Sequence, residues 1–484
     1  MNQSKRCHRI ANFKHLYVDG FKAFKNETRN PEASFILSHY HSDHYVGLPT
    51  DKGYQGPAKI HCSMVTAELL IEVHGVPKEF VVGHAYGETW VHTSCTEQHQ
   101  VEITFYDANH CPGASIILAR ERLKGGDSSN REFFVHTGDF RYHPRMKDYP
   151  LLLEAVRERN IHSVYLDTTY SSPKHIFMPQ QDAVDMIASQ VETLLVSHNS
   201  KDTLVLLSCY SIGKEKILIE SSKRSKQRIY VNKKKYKLLE CADTYFSTDE
   251  NPTIMNSITL DDSSSRLHVV QMGLAGKMFP YFTPNFEGLY SYVSKYKNRF
   301  RKVVAFIPTG FASLAYNQSH AIHQKLIHDV SIEIRLVAYS EHSSYNELEE
   351  FVKFCKPMHV IPTVYSDEKD YVAIQKRFHS YTDRKRTMQA FFKQPKLESS
   401  DKPSKISSKL NWKKNHINTS IAQQGANDSD KYSQEVKMLV SMGFHHDQSL
   451  RLLKLNKGEV DRTVEDLLKE KQHCTFNSVI DLTD

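Results

Sequence analysis

The stretch Phe35-Ile36-Leu37-Ser38-His39-Tyr40-His41-Ser42-Asp43-His44 sets an apolar, strand-like run directly before three histidines and an aspartate. Imidazole nitrogens and a carboxylate at this spacing suit one or two transition ions, zinc first. His39 and His41, two apart, can point into one site from a tight loop. Asp43 and His44 then face the opposite side of that loop, toward a second ion. A lone His-x-His in a chain with 27 histidines would be an ordinary solvated loop. The full His-x-His-x-Asp-His behind a buried strand is a ligand set.

Three more strand-like runs end the same way. Val101–Tyr106 leads into Asp107-Ala108-Asn109-His110-Cys111-Pro112-Gly113, and Glu132–His136 into Thr137-Gly138-Asp139-Phe140-Arg141. Far downstream, Ile334–Ala338 leads into Tyr339-Ser340-Glu341-His342-Ser343-Ser344. Loops at the ends of rigid strands are where a preorganised site places its ligands.

This order of motifs resembles the metallo-β-lactamase fold. Tyr165-Leu166-Asp167-Thr168-Thr169-Tyr170, Tyr210 to Lys216, Pro308-Thr309-Gly310 and Ser340 to Tyr345 narrow the resemblance to the β-CASP nucleases of the DNA interstrand cross-link repair group, over roughly Val18 to Phe392. Two positions depart from the family pattern: Phe311 stands where relatives commonly carry Trp, and Ser171 where they commonly carry Cys. The resemblance implies an α/β fold, an αββα sandwich with an inserted β-CASP cap. It also implies a ligand set: His39, His41 and His110 for one zinc ion, Asp43, His44 and His342 for a second, and Asp139 bridging. Two ions about 3.5–4 Å apart can clamp a phosphate, lower the pKa of a water and stabilise the leaving oxygen. Asp43, Asp139, Asp167 and His342 are the expected catalytic residues. Asp167 is expected on the cap side, orienting His342 or assisting proton transfer. Tyr170, Ser211, Lys214 and Thr309 are expected to form a pocket for a DNA 5′-phosphate, with Ser211 opening a helix whose N–H groups favour an anion. The Ser-Ile-Gly-Lys run lacks the glycine spacing of a nucleotide-triphosphate loop. Val364 stands where RNA-processing relatives usually place a His.

Composition agrees with this reading. The 484 residues allow two or three domains, and 39% hydrophobic content supports a core, while a mean hydropathy of −0.52 points to polar segments as well. A net charge of +7 favours a polyanionic partner such as DNA. Lys201 to Lys237 holds eleven Lys/Arg against three acids, a surface for phosphates or a nuclear-import signal. Eight cysteines without paired spacing predict a reduced, intracellular setting. No run approaches a membrane span, and the N-terminal residues lead into no secretory core.

The expected domains are residues 1–170, the first part of the sandwich; 171–300, the cap; and 301–392, the return of the sandwich. A polar linker would follow at 393–430, then a small all-α three-helix block at 431–471 and a tail at 472–484. Glu435–Met442, Gln448–Leu455 and Val460–Leu468 carry helical apolar spacing. With Met442-Gly443-Phe444 they resemble a ubiquitin-associated domain, in which that loop and Leu467 and Leu468 would meet ubiquitin. Met388, Phe391 and Phe392 resemble the core of a sliding-clamp (PCNA) motif, and Val479 to Asp484 a SUMO-interacting strand. The function expected is a zinc-dependent 5′-to-3′ DNA exonuclease of the nucleus. The alternatives are an RNA-cleaving β-CASP endonuclease or a non-catalytic metal-binding repair scaffold.

Overall fold

In the computed structural model the described residues are 10, 13–49, 54–93, 99–123, 131–196, 201–247, 253–278, 282–297, 299–310 and 322–387, with 432, 436, 446–456 and 463 beyond them. Residues 5–278 and 282–384 form one compact unit, and the described residues from 385 onward belong to another.

Within the large unit, β1 (Leu16–Val18), β2 (Ser34–Ile36), β3 (Lys59–Ser63) and β4 (Val81–His84) make a parallel sheet in that order. Then β5 (Thr89–Thr93), β6 (His99–Asp107), β7 (Ser115–Leu123) and β8 (Phe133–His136) pair antiparallel in sequence, and β9 (Ile161–Leu166) joins β8 in parallel. Side-chain alternation along the strands decides how these sheets pack. Leu16, Val18 and Ile36 of the first sheet share one apolar cluster with Val101, Ile103, Phe105, Ile117 and Phe134 of the second. Tyr17 and Phe35 point the other way, into a cluster with Val65 and Leu69 from the helix Met64–Leu69.

The chain next builds a separate sheet. It contains β10 (Thr203–Cys209), β11 (Ile229–Tyr230), β12 (Ile258–Thr259) and β13 (Leu267–Gln271). β14 (Gly276–Lys277) and β15 (Thr283–Pro284) form a small antiparallel pair of their own. β16 (Lys302–Thr309), β17 (Ile322–Ile327) and β18 (Val330–Ala338) then complete the large sheet, in the order β12-β11-β13-β10-β16-β18-β17. Every residue of β10 is buried, as a parallel strand covered on both faces requires. Val205 and Leu207 meet Ile187 and Val191 of the helix Gln180–Val196, while Leu204 and Leu206 meet Leu289 and Val293 of the helix Phe286–Ser294. Among the described residues, β19 (His359–Pro362) then returns to the second sheet, in parallel beside β9.

Three expectations are corrected here. The sandwich does not resume at residue 301: β16 and β18 pair with β10, so the insert runs to about residue 340. The helix expected from Ser211 starts at Glu215, because Gly213 and Lys214 both hold positive φ, +109° and +68°. The basic run is not one open surface either. Lys235 is buried against Glu215 at 2.7 Å and Arg224 is paired with Glu220 and Asp185, whereas Lys223, Lys226, Arg228, Lys233 and Lys234 are exposed.

In the second unit the described helix His446–Leu455 buries Ser449, Leu452 and Leu453 on one face, which matches the amphipathic pattern expected there. Met388, Phe391, Phe392, Met442, Gly443, Phe444, Leu467 and Leu468, the tail and Phe311 lie outside the described residues. Among the described residues no helix is long and apolar enough to cross a membrane.

Candidate metal centre

Strands β1, β2, β8 and β9 deliver their following loops to one place. Asp19, just after β1, accepts hydrogen bonds from the Ser38 N–H at 2.8 Å and the Ser38 hydroxyl at 2.7 Å. That pins the start of the histidine loop. Gly138 has φ +56°, and a Cβ there would stand 3.0 Å from the Ser38 Cβ, so only glycine lets the Asp139 loop approach this closely.

The ligating atoms converge in three overlapping groups, His39–His41–His110, His39–His44–Asp139 and His110–Asp139–His342, each with its atoms within 4.8 Å of one another. His41 Nδ1 lies 3.0 Å from His39 Nε2 and 3.1 Å from His110 Nε2, while His44 Nε2 lies 3.1 Å from Asp139 Oδ2. Six of the seven expected ligands are thus assembled. The seventh, Asp43, sits at the edge, half exposed, with Oδ2 3.9 Å from His44 Nε2.

Each imidazole is held from behind. His39 Nδ1 donates to the Ser38 hydroxyl at 2.9 Å, His41 Nε2 to the Ile212 carbonyl at 3.1 Å, and His110 Nδ1 to the Glu341 carbonyl at 2.8 Å. His44 Nδ1 donates to Asp19 at 2.7 Å and His342 Nδ1 to Asp167 at 2.8 Å. The oxygens of carbonyls and carboxylates only accept, so the outer nitrogens of His41, His44, His110 and His342 carry protons while the inner nitrogens face the centre. This is how metal-binding histidines are oriented, and the residues fit a divalent ion.

The protonation states divide the centre in two. Burial, reinforced by neighbouring imidazoles, holds His39 well below the ordinary imidazole range and pushes His41 and His110 down to about 4, so all three are neutral at pH 7. Burial opposes the charged form of His44 and His342 too. The Asp139 and Asp19 carboxylates outweigh it and raise His44 to about 10, and Asp167 with Asp139 raises His342 to about 9. Asp139 is held well below the usual carboxylate range by His44 and His342 despite its burial. An ion entering beside Asp139 at pH 7 therefore has to displace the protons of both histidines. Metal loading is expected to release about two protons there, read by calorimetry as a heat that changes with the ionisation enthalpy of the buffer. A buffer-independent heat would contradict these protonation states.

Asp167 follows β9 and makes the hydrogen bond to His342 expected of it. Its oxygens accept from His342, the Phe140 N–H at 3.2 Å, and the Thr169 N–H and hydroxyl at 3.0 and 2.7 Å. A buried carboxylate with four donors is a fixed bracket that orients His342.

The expected phosphate cradle is also changed. Tyr170 and Lys214 meet the residues that flank Thr309: the Tyr170 hydroxyl lies against Gly310, and Lys214 Nζ donates to the Pro308 carbonyl at 2.7 Å. The N–H groups of Gly213 and Lys214, just before the helix, are already taken, however, Gly213 by Glu215 at 2.9 Å and Lys214 by Glu341 at 2.5 Å. Lys214 is buried, with its ammonium over the Tyr210 ring, and Ser211 is exposed with its carbonyl accepting from Lys235. Lys214 thus braces the loop through the Pro308 carbonyl and the Tyr210 ring.

Residues 252–368 match the DNA repair metallo-beta-lactamase family. The match includes β16, β18, Glu341 and His342. The chain is also similar to DNA ligase 6 of Arabidopsis thaliana, 35% identical over 389 residues covering 78% of this chain and 25% of that protein. It is 33% identical over 333 residues to DNA cross-link repair 1A protein of Gallus gallus, 68% of this chain and 30% of that one. With 5′ exonuclease Apollo of Gallus gallus it shares 30% identity over 351 residues, 71% of this chain and 60% of the relative. The chain thus spans between a quarter and three-fifths of the length of these relatives.

Sequence reasoning missed Asp19, Arg141 and Glu341 as parts of the site. Asp19 carries a signal, a carboxylate between the apolar run Leu16–Val18 and Gly20, but nothing in its spacing ties it to His44.

Proposed function

We propose that this chain is a zinc-dependent DNA nuclease, a 5′-to-3′ exonuclease acting on damaged or cross-linked DNA. The observation that carries the reading is the centre itself, five inward-facing imidazoles around Asp139, each with its outer nitrogen pinned. The matching family and the relatives named for DNA cross-link repair support DNA as the substrate class, and the relative named a 5′ exonuclease supports the polarity.

In this reading His39, His41 and His110 would hold one ion and His44, His342 and Asp43 the other, with Asp139 within reach of both groups. Zinc held there would supply Lewis acidity and neutralise phosphate charge. The protein holds the geometry around it: Asp19 and Asp167 fix His44 and His342, and Gly138 lets Asp139 reach between the two groups. The exposed Lys223, Lys226, Arg228, Lys233 and Lys234 attract the polyanionic strand in a salt-dependent way. Incubating the full chain with 5′-phosphorylated single-stranded DNA and matched RNA, with and without chelator, tests the proposal. Chelator-sensitive loss of nucleotides from the 5′ end of DNA is expected. Preferential cutting of RNA would favour the endonuclease alternative, and no cutting of either would favour a scaffold.

The proposal extends to the C-terminal segment, which would bind ubiquitin through Met442, Gly443, Phe444, Leu467 and Leu468. Met388, Phe391 and Phe392 would dock a sliding clamp, and the tail a SUMO surface, in the nucleus. The amphipathic helix His446–Leu455 supports the ubiquitin-associated part. Labelled ubiquitin titrated with the full chain is expected to shift, and Met442→Ala to remove the shift. An unchanged spectrum at millimolar concentration would leave a purely structural bundle.

A further inference from the structure

The two halves of the centre are supported from different parts of the fold. His44 and His342 are held by Asp19 and Asp167, which follow β1 and β9 of the sandwich. His41 and His110 are held by two main-chain carbonyls, those of Ile212 and Glu341. Ile212 lies in the loop of the inserted sheet that joins β10 to the helix Glu215–Ser225.

That loop is itself held by Glu341. The Glu341 carboxylate accepts the Lys214 N–H at 2.5 Å, and its Oε2 lies 2.7 Å from where a Cβ on Gly213 would stand. On the other side Glu215 takes the Gly213 N–H with both oxygens at 2.9 Å and is anchored by Lys235 at 2.7 Å. The loop 211–214 is therefore gripped between two carboxylates, and its Ile212 carbonyl is aimed at His41. Glu341 acts twice: its side chain sets the loop that orients His41, and its carbonyl orients His110.

Resting on the metal-centre reading above, we infer that Glu341 is a positioning residue that makes occupancy of the three-histidine half depend on the inserted sheet. A displacement of the loop 211–214 loosens His41 and leaves His44 and His342 in place. Loss of a partner behind a ligating histidine weakens metal binding by about 10–100-fold. Glu341→Ala is expected to weaken one of two zinc-binding steps by that factor and to spare the other. Glu341→Gln keeps an amide oxygen for the Lys214 N–H and is expected to restore the weakened step. Gly213→Ala, which presses a methyl group onto the Glu341 carboxylate at a strained φ, is expected to weaken the same step.

Zinc titration of the full chain against a competing chromophoric chelator reads both steps, with Asp19→Asn as the opposite arm, since it loosens His44. Selective loss in Glu341→Ala and in Gly213→Ala, recovered by Glu341→Gln, supports the inference. Two unaltered steps in a folded Glu341→Ala, or equal weakening of both, overturns it while leaving the centre intact. Should Glu341→Ala fail to fold, Gly213→Ala decides by the same criterion. A wild-type chain that binds no zinc overturns the metal-centre reading and this inference with it.

Discussion

Asp139→Ala is expected to abolish cleavage while DNA binding and the fold are largely retained. Asp139 Oδ2 lies 3.1 Å from His44 Nε2 and 3.8 Å from His39 Nε2, and the residue belongs to two of the three ligand groups. A carboxylate can serve two ions at once because it has two oxygens, and no histidine in the centre can replace it. Its charge also sustains the raised pKa of His44 and His342, so its loss disturbs the second half twice. The expected fall is on the order of a thousandfold or more in the single-turnover rate, about 4 kcal/mol of barrier. The exposed lysines of the insert are untouched, so fluorescence anisotropy with a DNA oligonucleotide is expected to change little. Near-normal cleavage by Asp139→Ala would rule out the two-ion mechanism.

Arg141→Met is expected to produce the largest loss of stability. Arg141 is only 1% exposed, and its guanidinium donates to the Ser340 carbonyl at 2.7 Å, the Met178 carbonyl at 3.0 Å and Glu347 Oε1 at 3.0 Å. The other Glu347 oxygen accepts the Ser344 N–H at 2.7 Å in the capping box of the helix Tyr345–Cys355. One side chain thus ties the Asp139 loop, the Ser340–His342 loop and the start of that helix together. Methionine fills comparable space but strands two carbonyls and a carboxylate. Breaking a buried pair from one side costs about 3–5 kcal/mol. The partly exposed Glu347 favours the lower end. Urea unfolding of the full chain reads the loss, and a wild-type midpoint would contradict it. Arg141→Lys is expected to recover little, because one ammonium cannot span a planar fork.

The sequence made the inward-facing atoms of the centre legible and left their supports hidden. Six of the expected ligands lie in short motifs behind apolar strands, where residue type and spacing both carry the signal. The groups behind them are largely backbone: the Ile212 and Glu341 carbonyls could belong to any residue type, so no side-chain pattern marks them. Strand existence was legible too, but pairing was not. Lys302–Thr309 is an apolar run that would suit either sheet, and only its register beside β10 assigns it to the insert. Ser211 reads as a good helix cap, yet the positive φ at Gly213 and Lys214 delays the helix to Glu215. In the basic run, Lys235 is indistinguishable by sequence from Lys233 and Lys234, although it alone of the three is buried against Glu215.

Anomalous diffraction at the zinc absorption edge, from crystals of the full chain grown with zinc, addresses the centre itself. Two peaks about 3.5–4 Å apart are expected, one among His39, His41 and His110 and the other among His44, Asp139 and His342. Zinc-edge density elsewhere in the molecule, or none between these side chains, would contradict a two-ion hydrolytic centre.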